Sequence, residues 1–308
     1  MLAIAAAAAI LLTVACGPSG ADAADDESRT LDHGGTQRRY LIHHPENRTG
    51  AAVPAVLVFH GGGGTARNLA DRSGFDRLSD TGGFVAVYPE GIDRSWNDGR
   101  GGDTAAGAAG VDDIGFVSAL IDRLIATDNV DPARIYVTGM SNGAMFTQYL
   151  GCHLGARIAA IAPVAGLLPV AAQPLCAPGR PMPVLQIHGT GDPITPYDGG
   201  FVRTSSGHNG RPGTTPMLSV QADQAVWRAA NNCAAPVTTA LPPVADDGTS
   251  VTVRTAACPG NAEVVLYTVT NGGHTWPGGD QYLPEALIGK VSRQFDASEV
   301  IWRFFAAH

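Results

Sequence analysis

A chain of 308 residues, 44% of them hydrophobic and 16% charged, is long enough to bury the core of one large domain or two modest ones. Its formal net charge of -8 and its lack of any lysine or arginine run argue against a nucleic-acid-binding protein, which carries a basic face. The same negative charge disfavours a polyanionic substrate.

The first 16 residues form an apolar run that ends at Cys16, and its length is typical of a secretory signal peptide rather than of a membrane span. Residues 12–16 (LTVAC) resemble a bacterial lipobox, whose cysteine is lipidated and becomes the mature N-terminus. No lysine or arginine precedes the run and Thr13 replaces the usual leucine, so ordinary signal peptidase cleavage remains an alternative. We predict a signal peptide over residues 1–16, an extracellular or cell-surface lipoprotein, and a disordered acidic tether over residues 17–29.

The remaining cysteines number four, an even count that predicts two disulfides in an exported chain. Four cysteines allow three connectivities, of which we favour nearest neighbours along the chain. The favoured pairs are Cys152 with Cys176 and Cys233 with Cys258. No CxxC pair occurs, so the sequence gives no zinc site and we predict no metal.

Strand-like and helix-like segments alternate through residues 30–308. Short apolar runs predict strands at residues 37–43, 55–59, 84–88, 134–137, 158–164, 184–187, 251–253 and 264–268. Helical spacing of apolar residues predicts helices at residues 66–80, 111–128, 142–152, 217–230 and 297–307. This alternation favours a single α/β domain whose mostly parallel sheet is covered by helices on both faces.

The segment Gly139-Met140-Ser141-Asn142-Gly143 follows a predicted strand and precedes a predicted helix. A G-x-S-x-G turn in that context holds the serine hydroxyl above the sheet at the N-terminus of the helix. The helix end and the Asn142 amide can then stabilise negative charge on an attacked carbonyl. The pattern arises by chance in roughly one such chain in five, and a helix-capping serine is the alternative.

A glycine run, His60-Gly61-Gly62-Gly63-Gly64, comes directly after the predicted strand at residues 55–59. Glycines there let backbone N–H groups face a pocket, as in the HGGG-type half of an oxyanion hole. We predict Gly62 as the donor, with Gly61 or Gly63 next. A flexible surface loop is the alternative, and a phosphate cradle is disfavoured because no GK[ST] follows.

A nucleophilic serine needs a base, and the base needs an orienting acid. Asp192 and His274 each follow a predicted strand, and the order Ser141, Asp192, His274 is that of α/β-hydrolases. We predict these three as nucleophile, acid and base. The competing bases are His60 and His188; each directly ends a strand, and we interpret both as structural. The competing acids are Asp198 and Asp280.

Two tryptophans, Trp96 and Trp276, lie on loops at the predicted pocket side. Each is a candidate aromatic platform for substrate, and an ordinary packed tryptophan is the alternative for both. Asp112 and Asp113 could be mistaken for a catalytic carboxylate pair, but they start a predicted helix, where negative charge suits the helix dipole.

Together these segments resemble the family of poly(3-hydroxybutyrate) depolymerase-like and feruloyl esterase-like esterases. The resemblance rests on RRYLIHHP, HGGGG, YPEG, VDDIGFVSALID, VTGMSNGAM, APVAG, HGTGDPITPYDGG and NGGHTWPGG, and it covers nearly all of the chain after residue 30. It implies an α/β-hydrolase fold, secretion, and catalysis by Ser141, Asp192 and His274. It also implies a substrate among polyesters or feruloyl and acetyl esters of plant polysaccharide.

We therefore expect an exported serine carboxylesterase that forms an acyl-enzyme and needs no metal or organic cofactor. The partner is a small or polymeric ester, nucleic acid is excluded, the chain is a monomer, and a lipidated Cys16 would attach it to a membrane. The alternatives are a peptidase or acyltransferase on the same fold, or a non-catalytic surface lipoprotein that keeps the hydrolase fold for binding.

Overall fold

The computed structural model describes residues 26–46, 50–203 and 213–308. The predicted signal peptide over residues 1–16, with Cys16, lies outside the described residues. The strands are β1 (Glu27–His33), β2 (Thr36–His43), β3 (Val53–Phe59), β4 (Val85–Pro89), β5 (Val130–Met140), β6 (Ala160–Val164), β7 (Val184–Gly189), β8 (Gly200–Phe201), β9 (Pro216–Met217), β10 (Val237–Ala240), β11 (Ser250–Ala256) and β12 (Val264–Thr270). The helices are α1 (Ala66–Ser73), α2 (Phe75–Gly82), α3 (Ala105–Ala108), α4 (Asp113–Thr127), α5 (Asn142–His153), α6 (Val220–Ala230), α7 (Glu285–Ile288) and α8 (Ala297–Ala306).

Ten strands form one sheet in the order β1-β2-β4-β3-β5-β6-β7-β12-β11-β10. The run from β4 to β12 is parallel, while β1 and β2 at one edge and β11 and β10 at the other are antiparallel. Strands β8 and β9 form a separate antiparallel pair. The fold is that of α/β-hydrolases, and the C-terminal ends of the parallel strands meet at one edge of the sheet.

Both faces of the sheet are covered, as the continuous apolar strands predict. Alternate residues of β3 point to opposite faces, so that Leu57 and Phe59 pack with α4, α5 and α6 while Val56 and Val58 pack with α1, α2 and α8. Every residue of β4, β6 and β7 is buried. None of the helices in the described ranges combines the length and hydrophobicity needed to cross a bilayer.

The structure corrects the end of the predicted tether and the first predicted helix. The end of the predicted tether is ordered, because Glu27, Ser28 and Arg29 belong to β1 and pair with β2, and the Arg29 guanidinium lies 2.6 Å from a carboxylate oxygen of Asp128. The predicted helix over residues 66–80 is two helices, since Gly74 adopts φ 70° between α1 and α2 and turns the chain in the left-handed region.

The aspartate pair at the start of α4 is structural, as predicted. Asp112 caps the helix by accepting a hydrogen bond from the Gly115 amide at 2.9 Å. Asp113 is buried, lies 2.7 Å from the Arg38 guanidinium, and accepts a hydrogen bond from the Asn97 amide.

Both disulfides that the sequence favoured are present. Cys152, in the last turn of α5, is bonded to Cys176, and Cys233, after α6, is bonded to Cys258. The two bridges close loops with sequence separations of 24 and 25 residues. Each bond therefore restrains the unfolded chain over a short segment.

A buried polar network lies between α5, α6 and β7. One oxygen of Asp223 accepts hydrogen bonds from the side-chain amides of Gln148 at 2.6 Å and Gln186 at 3.0 Å and from the Leu168 amide at 3.2 Å. Its second oxygen has no partner among the described residues. Burial raises the pKa of Asp223 to about 7, because an ionised carboxylate loses its hydration there.

Candidate active site

Ser141 occupies the turn between β5 and α5 and has φ 58° and ψ -122°. This strained conformation is the one expected of a nucleophile elbow. Its flanking glycines are sterically required: a Cβ on Gly139 would lie 2.6 Å, and one on Gly143 2.1 Å, from the carbonyl oxygen of Phe59. Ser141 is therefore fixed at the C-terminal edge of the sheet, at the first turn of α5.

The glycine loop after β3 lies directly against this elbow. A Cβ on Gly61 would lie 3.3 Å from the Ser141 Cβ, and one on Gly62 would lie 3.7 Å from the Asn142 Cβ. The Gly63 amide donates to the carbonyl of Arg94, and the Gly64 amide donates back into the loop. Among the described residues the Gly62 amide has no acceptor, so Gly62 fits the predicted donor position better than Gly63.

His60 is structural, as its place at the end of β3 predicted. Its Nε2 accepts a hydrogen bond from the Gly91 amide at 3.0 Å. The ring proton is therefore on Nδ1, which donates to the Gly61 carbonyl at 2.8 Å. Burial lowers the pKa of His60, which keeps the ring neutral.

Asp192 and His274, which are far apart in sequence, are hydrogen-bonded. Nδ1 of His274 lies 2.8 Å from Oδ2 of Asp192, and both side chains are buried. The other Asp192 oxygen accepts hydrogen bonds from the amides of Ile194 and Thr195, each at 2.8 Å. The carboxylate is thus held by three donors, one of which is the imidazole.

The electrostatics of this pair favour an ionised aspartate. Burial by itself raises the pKa of Asp192, but the charge and hydrogen bond of His274, together with His188 and the Thr195 amide, outweigh burial and leave the pKa lowered. A carboxylate that stays charged beside Nδ1 fixes the proton there and leaves Nε2 of His274 with a lone pair.

The other candidate bases and acids do not replace this pair. His188 is fully buried and does not line the cleft; its Nε2 lies 3.6 Å from Oδ2 of Asp192 but only 2.9 Å from the Thr195 carbonyl, and burial lowers its pKa. Asp198 and Asp280 are exposed, and neither forms an ion pair or hydrogen bond with His274 in the part of the chain that the structure describes.

Ser141 and His274 line one open cleft of about 420 Å³, together with the glycine loop. The remaining walls are a mixture of apolar, aromatic and charged side chains, among them Leu69, Arg72, Ile194, Trp276, Tyr282 and Leu283. No hydrogen bond joins the Ser141 hydroxyl and the His274 ring within the described residues, and such bonds commonly tighten only when substrate binds.

The two tryptophans have different environments. Trp276 lines the cleft, and its indole N–H donates to the Ser298 hydroxyl. Trp96 has no exposed surface, so its predicted contact with substrate is wrong. Its ring stacks on Phe146 with an interplanar angle of 1°, in the core below the cleft.

Sequence reasoning missed Tyr282, whose hydroxyl donates to the His274 carbonyl at 2.9 Å and whose ring faces the cleft. Burial raises the pKa of Tyr282 to about 12, so the hydroxyl keeps its proton. It also missed Asp98, which accepts a hydrogen bond from the side chain of Asn142, the residue after the nucleophile, and Arg100, which pairs with Asp98. A tyrosine or aspartate in a glycine-rich loop has no motif, and only the folded chain reveals these contacts.

One group of side chains in the described ranges has the composition and spacing of a metal site. Ligand atoms of Asp26, His43 and Asp76 lie within 4.8 Å of one another. Arg67 is already paired with Asp26 and the Tyr88 hydroxyl donates to Asp76, so the cluster is satisfied by protein groups. None of these residues lines the cleft, and the site chemistry above uses none of them.

Comparison with known proteins finds similarity to esterases. The family model for esterase PHB depolymerases matches residues 39–212. NocK of Nocardia uniformis subsp. tsuyamanensis, named as an esterase, is 32% identical over 281 residues, which cover 86% of this chain and 78% of that protein. Feruloyl esterase B of Piromyces equi is 28% identical over 77% of this chain, but the match spans only 42% of that longer protein.

A solved structure shares the fold. The acetyl xylan esterase of Aspergillus awamori aligns with a TM-score of 0.56 and 15% sequence identity, over 92% of this chain and 100% of that one. At this level of identity the similarity concerns the arrangement of strands and helices alone.

Proposed function

Because the chain belongs to the PHB depolymerase family of esterases, we propose that it is an exported serine carboxylesterase that works through an acyl-enzyme. The observation that carries the proposal is the buried hydrogen bond between Asp192 and His274, at a cleft that His274 shares with Ser141. In the proposed triad, Ser141, Asp192 and His274 thus come from the ends of three separate strands.

In the proposed reaction, the Ser141 hydroxyl attacks the ester carbonyl while Nε2 of His274 takes its proton. Asp192 holds the imidazole in the tautomer that can do this and stabilises the cation that forms. The amides of Asn142 and Gly62 bind the oxyanion: the Asn142 N–H, at the first turn of α5, has no intrahelical acceptor, and the Gly62 N–H has no acceptor among the described residues. His274 then protonates the leaving alkoxide, and water activated by the same ring hydrolyses the acyl-enzyme.

The cleft supports a modest acyl or alcohol group rather than a deeply enclosed ligand. Its volume of about 420 Å³ lies at the lower end of small-molecule sites. Leu69, Ile194, Trp276 and Leu283 offer apolar walls next to the nucleophile. Hydroxyalkanoate, feruloyl and acetyl esters all fit this description, and the relatives include a feruloyl esterase.

Export and domain organisation form part of the same proposal. Two disulfides in one catalytic domain favour an oxidising compartment. A signal peptide over residues 1–16, with Cys16 as a lipidation site, would deliver the chain there. We propose a single α/β-hydrolase domain that acts as a monomer, free or attached to a membrane through Cys16.

The test is the replacement Ser141→Ala, with hydrolysis of a short p-nitrophenyl ester as the readout. We expect kcat to fall by about 10⁴-fold or more, because no other group can form the acyl-enzyme. The control is Ser250→Ala, an exposed serine at the start of β11, which should behave as wild type. Activity of Ser141→Ala near that of the control would reject the mechanism.

A second measurement separates the alternatives. A fluorophosphonate probe should label the wild type and Ser250→Ala but not Ser141→Ala, whereas a non-catalytic binding protein would not be labelled at all. Hydrolysis rates are then compared for feruloylated oligosaccharide, hydroxybutyrate oligomer, p-nitrophenyl acetate and a peptide amide. Faster cleavage of the peptide than of every ester would favour the peptidase alternative.

A further inference from the structure

The loop between β4 and α4 reaches both halves of the proposed oxyanion hole. Trp96, on this loop, is fully buried, and its indole N–H donates to the His60 carbonyl at 2.9 Å. His60 begins the glycine loop, so this hydrogen bond ties Trp96 to the segment that carries Gly62. The ring is fixed by edge-on contact with Phe59 and stacking on Phe146, with ring centroids 5.1 and 5.2 Å away.

The same loop binds the other half of the hole through the Asn142 side chain. Its Oδ1 accepts from the Trp96 amide at 2.9 Å, and its Nδ2 donates to the Trp96 carbonyl at 3.2 Å and to Asp98 Oδ2 at 2.6 Å. Because the side-chain oxygen and both amide hydrogens are engaged, the Asn142 side chain is held away from the cleft. Its backbone N–H is then fixed in direction at the start of α5.

Asp98 is held in turn by Arg100. The Arg100 Nε lies 3.1 and 3.0 Å from the two Asp98 oxygens, and Nη2 lies 2.7 Å from one of them. Asp98 is completely buried and Arg100 is 8% exposed. A buried ion pair adds little net stability compared with apolar packing, so its use here is explained better by orientation than by stability.

We propose that Trp96 and Asp98 are positioning residues that hold the Asn142 and Gly62 amides at the separation the oxyanion needs. This inference rests on the proposed serine esterase mechanism. Neither side chain touches substrate; each acts through hydrogen bonds to the segments that carry the donors. The pair, which we call the oxyanion clamp, gives the buried Trp96 a role in catalysis that differs from the predicted one.

The first test is Asp98→Asn. Arg100 donates to both Asp98 oxygens, and Asn142 donates to Oδ2 as well, so in either orientation the NH₂ group of an asparagine faces an Arg100 donor and the ion pair that holds this side chain against Asn142 is lost. The Asn142 side chain then moves, and the backbone N–H that donates to the oxyanion shifts with it. Because a misplacement of about 1 Å can cost about 10²-fold in rate, we expect kcat to fall by about 10²-fold with KM nearly unchanged.

The matched control is Asp103→Asn on the same loop. Asp103 accepts from the amides of Thr214 and Thr215 and contacts neither Asn142 nor the glycine loop. We expect its kcat and KM to match those of the wild type. Equal losses in Asp98→Asn and Asp103→Asn would mean that the loop matters only for general structure, and would overturn the proposal.

Affinity for an oxyanion mimic distinguishes positioning of the oxyanion donors from general structural support. A trifluoromethyl ketone that adds to Ser141 should lose affinity in Asp98→Asn by the same factor as kcat/KM, while the ether analogue of the substrate, which forms no oxyanion, keeps its affinity. Parallel loss for both inhibitors would overturn the proposal. Trp96→Phe, which keeps the stack on Phe146 but loses the bond to His60, should show the same pattern if Asp98→Asn does not fold.

Failure of this inference is distinguishable from failure of the proposed function. If wild type hydrolyses esters and Ser141→Ala does not, but Asp98→Asn and Trp96→Phe both keep wild-type kcat, only the oxyanion clamp is rejected. If Ser141→Ala is as active as wild type, the proposed function itself is rejected, and the clamp with it.

Discussion

Replacing Asp192 with asparagine tests the proposed base directly, because the structure dictates how the new amide must point. Asp192 Oδ1 accepts hydrogen bonds from the amides of Ile194 and Thr195, each at 2.8 Å. An asparagine must keep its oxygen at that position, since its NH₂ group would otherwise face two donors. Its NH₂ group is therefore directed at Nδ1 of His274.

The consequence is a change of tautomer. Facing a donor, Nδ1 of His274 must present its lone pair, so the ring proton moves to Nε2 and the side that faces Ser141 can no longer accept a proton. We expect kcat to fall by about 10⁴-fold, equivalent to about 5 kcal/mol of transition-state stabilisation. The substitution removes the negative charge beside His274 but leaves the volume of the side chain at position 192 unchanged.

The assay is steady-state hydrolysis of p-nitrophenyl acetate near neutral pH, with thermal unfolding measured in parallel to show that the variant folds. Asp198→Asn is the matched control, because Asp198 is exposed, lies six residues away and forms no bond to His274 within the described chain. A folded Asp192→Asn enzyme that keeps more than a tenth of wild-type kcat would refute the reasoning. A large loss in Asp198→Asn instead would assign the acid to that residue.

Two further predictions concern stability. Replacing both Cys233 and Cys258 with serine should lower the free energy of unfolding by about 3 to 4 kcal/mol, as expected for a loop of this length. Ester hydrolysis at low temperature should be unchanged. An unchanged midpoint of urea unfolding would contradict this prediction. Asp223→Asn tests the raised pKa of Asp223, which is about 7 in the folded protein and near 4 in the unfolded chain. Because the folded state holds this proton more tightly, the wild type should lose stability relative to the variant as pH rises from about 4 to about 7, and the difference should then level off. Urea unfolding at intervals across this range measures the difference, and parallel curves for the two proteins would show that Asp223 titrates normally.

The sequence by itself determined the features that depend on neighbours along the chain. Continuous apolar strands, helical periodicity, and glycines at 139 and 143 around Ser141 are local patterns, and they were sufficient for the α/β-hydrolase fold and the nucleophile turn. Asp192 and His274 were predicted as partners because each follows a parallel strand, and such ends share one edge of the sheet. The disulfide pairs are also of this kind, because each joins cysteines that are neighbours in the sequence, 24 or 25 residues apart.

Only the tertiary structure decided which loop side chains face the cleft and which face the core. Trp96 and Trp276 both follow strands and look alike in sequence, yet one is buried beneath the nucleophile turn and the other lines the cleft. The orientation of such a side chain depends on contacts with segments far away in sequence, here His60 and Asn142 for Trp96, and no local pattern encodes them. The composition of Glu27 to Arg29 likewise suggests a tether. These residues form a strand because they pair with β2, a contact that their own composition does not predict.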